Sequence, residues 1–207
     1  MSDQPPITGV LLAGGLAKRM GGGDKCLLPL GGKTLLQRTI ERAQPQVDTL
    51  LLSANGNHLR FARSRLPVVA DAFPNFPGPL AGVHAALTWM REHRPDQQWL
   101  ASFACDTPFF PLDMTARLFA AVDGTQAPLA IASSNHRVHA VFALWNISLL
   151  PKIEEHLRQG SHPRLREWTT IQGAIEVAFD SAGYDPFFNV NTPQDLYAAE
   201  AQLPSIK

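Results

Sequence analysis

The chain has 207 residues, of which 45% are hydrophobic and 17% are charged, enough for one domain with a sizeable core. Basic and acidic residues number 18 each, so the formal net charge is zero, and no global charge directs the protein to nucleic acid or to an anionic membrane. Two cysteines, Cys26 and Cys105, are too few for a disulfide framework and lack zinc-site spacing. We therefore expect reduced thiols in a cytoplasmic protein, with no signal peptide and no membrane helix.

Short apolar runs alternate with amphipathic segments along the first half of the chain. Strands are predicted at 7–12, 49–53, 68–70 and 99–104, and helices at 33–43, 57–64, 79–92 and 112–122. This alternation predicts an α/β fold, with a mostly parallel sheet that has helices on both faces.

The second half is less regular. Strands are predicted at 129–133 and 139–145 around a polar turn, followed by a helix at 148–159 and a strand at 174–179. A closing helix at 192–203 has Thr192 as its N-cap and Pro193 at its first position. No segment reads as a linker, so we expect residues 1–207 to form one domain.

A glycine-rich loop with two cations follows the first strand, in the run 10-VLLAGGLAKRMGGGDKCLLPLGGKTLLQR-38. Glycines bring backbone N–H groups close to a ligand, and successive N–H groups favour an anion. The loop is neither a P-loop, because Leu27 stands where that motif needs glycine, nor a G-x-G-x-x-G turn. We interpret it as a triphosphate site rather than a flexible connection. Its candidate contacts are Leu12, Ala13, Gly14, Gly15, Arg19, Gly22 and Lys25.

This run resembles the signature loop of nucleotidyltransferases that join a nucleoside triphosphate to a phosphate-bearing acceptor. It is most similar to the MobA-type molybdenum cofactor guanylyltransferases, and the resemblance extends from Thr8 to about Leu196. It implies a Rossmann-like α/β fold of the nucleotidyltransferase type. It also implies a Mg²⁺-dependent enzyme that transfers GMP from GTP to the terminal phosphate of molybdopterin, releasing pyrophosphate. The N-terminal half would bind the nucleotide and the C-terminal half the acceptor. Transient contacts with other cofactor-biosynthesis proteins or with chaperones of apo-molybdoenzymes are expected, since the product is labile.

The run 103-FACDTPF-109 places Asp106 at the end of a buried strand. One carboxylate beside a triphosphate is a usual way to hold Mg²⁺, whose other ligands are water and phosphate oxygens. The alternative is an aspartate that only caps the turn before Pro108. The predicted position of Asp106, across the sheet edge from the glycine loop, favours the metal-binding role. By the resemblance, Lys25 and Arg19 would neutralise the transferred phosphates.

Two further strand ends carry polar candidates. Asn55 is either a nucleotide contact, as the resemblance implies, or a turn residue before Gly56, and the two roles are compatible. Asp71 is an exposed loop residue or, as the resemblance implies, a contact to the guanine nucleotide. Gly78 and Gly82 would let the start of the next helix approach the ligand.

The run 185-DPFFNVNTPQDL-196 contains Asn189 and Asn191, which face the same side if the segment is extended, with Val190 toward the core. By analogy with related nucleotidyltransferases, Asn191 would complete the metal site, unless it only belongs to the turn before Thr192. Arg137 is a candidate for the acceptor phosphate, whereas its neighbour His136 reads as a solvated turn residue.

Two other functions fit the same residues. A cytidylyltransferase acting on the same cofactor is the nearest, although Leu12–Gly15 reads LAGG, as in the guanylyltransferases, where cytidylyl relatives more often carry a PAAG-like loop. The other is a non-catalytic carrier of nucleotide or cofactor, which need not retain both Lys25 and Asp106.

Overall fold

The computed structural model describes residues 4–13, 24–73, 78–160, 164–179 and 183–203. The predicted contacts Gly14, Gly15, Arg19 and Gly22 lie outside these residues. The strands are β1 Ile7–Leu12, β2 Pro29–Leu30, β3 Lys33–Thr34, β4 Thr49–Ser53, β5 Val68–Val69, β6 Trp99–Ala104, β7 Leu129–Ser134, β8 Arg137–Asn146 and β9 Ile175–Ala178. The α-helices are α1 Leu35–Ala43, α2 Pro79–His93, α3 Met114–Val122, α4 Leu150–Arg158, α5 Leu165–Ile171 and α6 Pro193–Gln202.

Seven of the strands form one sheet in the order β5-β4-β1-β6-β8-β7-β9. All neighbours pair in parallel except β8, which runs antiparallel to both β6 and β7. From β1 the chain moves outward to β4 and β5, and then returns to place β6 on the other side of β1. The boundary between β1 and β6 is therefore a topological switch point, where open α/β sheets bind their ligands.

Helices cover both faces of the sheet, as the sequence predicted. Alternate residues of β1 point to opposite faces, so Ile7 and Leu11 join one buried core and Val10 the other. The first core contains residues of α1 and α3, and the second contains residues of α2, α4 and α5. A third cluster includes Val190 and Ala199, and attaches α6 beside the edge where β1 and β6 end.

The closing helix begins as predicted. Thr192 Oγ1 accepts from the N–H of Asp195, and the Asp195 carboxylate accepts in return from the N–H of Thr192 at 2.8 Å. Asp195 also accepts from the N–H of Asn191 at 2.9 Å. This capping box fixes the backbone immediately after Asn191, and so contributes to the placement of that side chain.

Several local predictions need correction. The helix predicted at 57–64 is present as a 3-10 helix, His58–Ser64, whereas a small β2–β3 hairpin precedes α1 where the helix was predicted to begin at residue 33. The helix α5 was not predicted as a separate element. The turn between β7 and β8 is a tight hairpin in which Asn135 and His136 both have positive φ, so β8 begins earlier than predicted. No helix within the described ranges is long and apolar enough to cross a membrane.

Candidate active site

Four parallel strands end at one edge of the sheet, and each is followed by a candidate residue. In the ladder Leu12 is opposite Ser53 on one side and Ala104 on the other. A cleft of about 280 Å³ lies over this edge. Its lining residues are Leu12, Ser53, Ala54, Asn55, Asp71, Gly78, Pro79, Gly82, Ala104, Asp106, Val141 and Asn189. We refer to it as the first cleft.

The start of α2 forms one wall of the first cleft, and two glycines determine how closely it approaches. Gly78 precedes the helix with φ of +87°, a conformation that residues with a Cβ rarely adopt. A Cβ at Gly82 would lie 2.6 Å from Ser53 Oγ and 2.7 Å from Leu12 Cδ2. The helix therefore packs directly on the ends of β1 and β4, and a Cβ at position 82 would force the side chains of Ser53 and Leu12 to move.

Asn55 and Asp71 are bound to each other in the wall of the first cleft. Asn55 Nδ2 donates to Asp71 Oδ2 at 2.8 Å, and the N–H of Asp71 donates to Asn55 Oδ1 at 2.9 Å. The other carboxylate oxygen, Asp71 Oδ1, is buried and has no hydrogen-bond partner within the described residues. Burial raises the pKa of Asp71, and the hydrogen bond from Asn55 opposes this only in part. Asn55 thus fixes the orientation of the Asp71 carboxylate, and Oδ1 remains an acceptor without a partner among the described residues.

Lys25 is the centre of a polar cluster at the switch point. It lies in a short 3-10 helix, Lys25–Leu27, and is only 7% exposed. Its Nζ donates to Asp106 Oδ2 at 2.7 Å, to Asn189 Oδ1 at 3.1 Å and to Asn191 Oδ1 at 2.5 Å. The structure therefore brings together four residues that the sequence analysis had proposed separately, across up to 166 positions of chain.

The segment containing the two asparagines is held against β6. The N–H of Val190 donates to the backbone oxygen of Asp106 at 2.8 Å, while the Val190 side chain is fully buried. Asn189 and Asn191 consequently face the same side, as the alternation in the sequence predicted.

The same cluster has the chemistry of a hard-cation site. One carboxylate oxygen and two amide oxygens converge on a single point, and oxygen ligands of this kind suit Mg²⁺, which completes its shell with water and phosphate. Within the described ranges, no group of three or more His, Cys, Asp or Glu side chains could hold a metal. A cation at this point would therefore take its protein ligands from Asp106, Asn189 and Asn191, and its remaining ligands from water or from a bound nucleotide.

A second cleft, of about 420 Å³, adjoins the first. Ala104, Val141 and Asn189 line both clefts. The second cleft otherwise draws on β8 and on residues 185–195, including Asn191 and Arg137, whose side chain lies at the start of β8. The three acceptor oxygens around Lys25 thus lie between one cleft formed mainly by the first half of the chain and another formed mainly by the second half.

The sequence analysis did not predict a group of hydrogen-bonded side chains at the second cleft. Ser134 Oγ donates to Asp185 Oδ1 at 2.9 Å and lies 2.9 Å from His139 Nε2. Because the serine proton goes to the carboxylate, we assign the proton on His139 to Nε2. The imidazole stacks on Phe187, with ring centroids 4.5 Å apart. Asp185 and Phe187 belong to the same run as Asn189 and Asn191, but only the fold brings them to Ser134 and His139.

Burial lowers the pKa of His139, with a contribution from nearby Arg137, and Asp185 offsets this only in part. His139 is therefore a neutral, flat ring at neutral pH. His136, in contrast, is exposed at the hairpin turn, in agreement with its interpretation as a solvated residue.

The cysteines are buried beside the cluster. Burial raises the pKa of the Cys26 thiol to about 12 and that of Cys105 well above its usual value. Both thiols therefore stay protonated, as expected for small buried residues rather than nucleophiles.

A parallel sheet with a cleft at its switch point, flanked by a lysine, a carboxylate and two amides, defines a nucleotidyltransferase-type domain. Residues 9–174 match the MobA-like NTP transferase domain, and the chain belongs to this family. A relative named molybdenum cofactor guanylyltransferase, from Nitrobacter hamburgensis, is 45% identical over 196 residues, covering 95% of this chain and 94% of the relative.

Solved structures have the same fold. Molybdopterin-guanine dinucleotide biosynthesis protein A from Archaeoglobus fulgidus matches with a TM-score of 0.72 and 20% identity, covering 96% of this chain and 100% of that one. A Mycobacterium tuberculosis protein crystallised in complex with manganese matches with a TM-score of 0.66 and 19% identity, covering 95% and 98%. The predicted family and α/β fold class are therefore confirmed.

Proposed function

We propose that this protein is a molybdenum cofactor guanylyltransferase, which transfers GMP from GTP to the terminal phosphate of molybdopterin. The observation that carries the proposal is the convergence of Lys25, Asp106, Asn189 and Asn191 at the junction of two clefts. A reaction that joins two phosphate-bearing substrates needs two adjoining sites with cationic and metal-binding groups between them. The name of the Nitrobacter relative supports the choice of substrates.

The first cleft is the proposed nucleotide site. The guanine edge carries N–H donors, and the buried Asp71 Oδ1 is an acceptor without a partner among the described residues. Leaving such a group unpaired costs about 1–3 kcal/mol, so a base that donates to it binds more tightly than one that does not. Lys25 and the glycine loop would contact the triphosphate.

The second cleft is the proposed acceptor site. The stacked pair of His139 and Phe187 offers flat surfaces suited to a pterin ring. Arg137 can supply a charge-assisted hydrogen bond to the acceptor phosphate. In this assignment the single domain has a nucleotide-binding N-terminal half and an acceptor-binding C-terminal half. We further propose a cytoplasmic enzyme that passes its product to other cofactor-biosynthesis proteins or chaperones.

In the proposed reaction an oxygen of the acceptor phosphate bonds to the α-phosphorus of GTP, and the bond from that phosphorus to the bridging oxygen of the β-phosphate breaks. Pyrophosphate leaves with that electron pair. The acceptor is already an anion, so no protein nucleophile is required, and the chain supplies orientation and charge. Asp106 and Asn191, with Asn189 beside them, would hold Mg²⁺, which when bound supplies positive charge to the phosphate oxygens.

Transfer of radiolabel from α-labelled GTP to molybdopterin tests this function. We expect one mole of label on the acceptor for each mole of pyrophosphate released. Transfer should occur only when a divalent cation is present. Nucleotide binding without any transfer would instead favour a carrier.

Replacing Asn55 with alanine is expected to raise the KM for GTP about tenfold with little change in kcat, because Asp71 loses one hydrogen bond to its carboxylate and one from its backbone N–H, which together hold it in the cleft wall. Steady-state kinetics with GTP and CTP measure this, and the preference for GTP should fall. Asn57→Ala is the matched control, since Asn57 is exposed and caps only the neighbouring 3-10 helix. A loss of about tenfold in kcat with an unchanged KM would show that Asn55 does not act through nucleotide binding.

A further inference from the structure

The ammonium group of Lys25 has no hydrogen available for a phosphate in this structure. An ammonium carries three N–H donors, and those of Lys25 are directed to Asp106, Asn189 and Asn191. The side chain is 8% exposed, so water does not compete freely for these donors. The three acceptors are the oxygens that the proposed function assigns to the metal ion.

Lys25 and a metal ion cannot use these oxygens together. Mg²⁺ binds oxygen at about 2.0–2.1 Å and retains several waters, so it requires the volume that the ammonium occupies. The two cations would also repel each other in a site that is largely removed from solvent. One must leave before the other enters.

A triphosphate gives Lys25 an alternative partner. Moving the buried ammonium away from Asp106, whose side chain is 24% exposed, into solvent would leave both charges without their partner, which is costly. If phosphate oxygens accept the ammonium while a metal ion takes its place at Asp106, every charge keeps a partner. The exchange is therefore favourable only when nucleotide and metal arrive as a pair.

We propose that Lys25 occupies the metal position in the nucleotide-free protein and excludes divalent cations until a nucleoside triphosphate draws its side chain away. The inference rests on the proposed function. Lys25 then has two roles. It excludes divalent cations from the nucleotide-free site, and it contacts the triphosphate once the nucleotide has bound. By linkage, the nucleotide strengthens metal binding and the metal strengthens nucleotide binding by the same factor.

Manganese binding to the nucleotide-free protein, measured by electron paramagnetic resonance, tests the proposal. We expect weak binding by the natural protein and binding at least about tenfold tighter by Lys25→Met, within the range usual for coupled sites. Lys33→Met is the matched control, because it removes the same charge from an exposed lysine paired with Glu41 and should leave the affinity unchanged. Lys25→Gln provides a second neutral variant whose amide can still donate, in case the methionine variant does not fold.

Asp106→Asn, introduced alone and together with Lys25→Met, distinguishes the exclusion of metal by Lys25 from the metal site assigned in the proposed function. If it removes the tight binding seen in the lysine variant, the metal uses this cluster and Lys25 excludes it. If Asp106 proves necessary for manganese binding in the presence of GTP, yet neither lysine variant binds manganese more tightly without nucleotide, the present inference is overturned and the proposed function stands. If manganese binds equally well without Asp106, the metal assignment in the proposed function fails as well.

Discussion

Asp106→Asn is expected to lower the rate of GMP transfer by at least about a thousandfold, or about 4 kcal/mol of transition-state stabilisation. The amide has the shape of the carboxylate and can still accept from Lys25, but the substitution removes the one carboxylate that contacts Lys25 among the residues the structure describes. Without that charge the cluster offers only neutral oxygens to a divalent cation. Turnover at saturating GTP and Mg²⁺ is the measurement.

The control for this change is Asp113→Asn. Asp113 precedes α3, its side chain is 63% exposed, and it lines neither cleft. It should retain full activity, and circular dichroism should show that both variants remain folded. Near-normal turnover by a folded Asp106→Asn protein would rule out its metal-binding role.

Lys25→Met is expected to lower kcat about a hundredfold to a thousandfold, or roughly 3–4 kcal/mol. The lysine is buried against Asp106, Asn189 and Asn191, which line the two clefts, so its charge is weakly screened when it acts on phosphates. Charge shifts onto the leaving pyrophosphate during transfer, and a fixed cation stabilises that change more than it stabilises bound GTP.

Steady-state kinetics at saturating Mg²⁺ check this expectation against Lys33→Met, which should behave as the natural protein does. The same Lys25 variant is expected to bind manganese more tightly without nucleotide. Slow transfer combined with strong metal binding would assign its loss of activity to the missing cation and not to a collapsed site. A kcat unchanged within error would contradict any contact between Lys25 and the reacting phosphates.

Elements whose signal is local were readily predicted from the sequence. The strand Trp99–Ala104 is an apolar run interrupted only by Ser102, with Asp106 just after it, and both its bounds and the position of Asp106 at the sheet edge follow from that pattern. The capping box at Thr192 is equally local, since its two hydrogen bonds join residues three apart. The face shared by Asn189 and Asn191 follows from the two-residue period of an extended chain.

Features that depend on pairing between distant segments were not predictable in this way. The sequence indicates a hairpin at Ser134–Arg137 but not that β8, rather than β7, would lie beside β6. The contact of Ser134 with Asp185 spans 51 positions, and nothing in either local pattern selects the other. The prediction of Asn55 as a nucleotide contact or a turn residue did not include the hydrogen bond between its amide and Asp71, 16 positions away. The 3-10 segment His58–Ser64 has enough apolar periodicity to resemble a short α-helix.

Family membership and the geometry of the cluster lead to the same chemistry by separate routes. The relative at 45% identity indicates a guanylyltransferase. The oxygens around Lys25 Nζ independently indicate a cation site at the junction of two clefts. Base preference follows from the first route alone, because the unpaired acceptor at Asp71 suits any base edge that donates hydrogen bonds, and guanine and cytosine both carry N–H donors.

The most direct test of this account is pyrophosphate release by the purified protein with molybdopterin and Mg²⁺, with GTP and CTP assayed in parallel. We predict release with GTP, dependent on the acceptor, and little or none with CTP. Release with CTP alone would contradict the guanylyltransferase assignment while leaving the site intact. No release with either nucleotide, although nucleotide binds, would contradict the central claim that the two clefts form a site of nucleotidyl transfer.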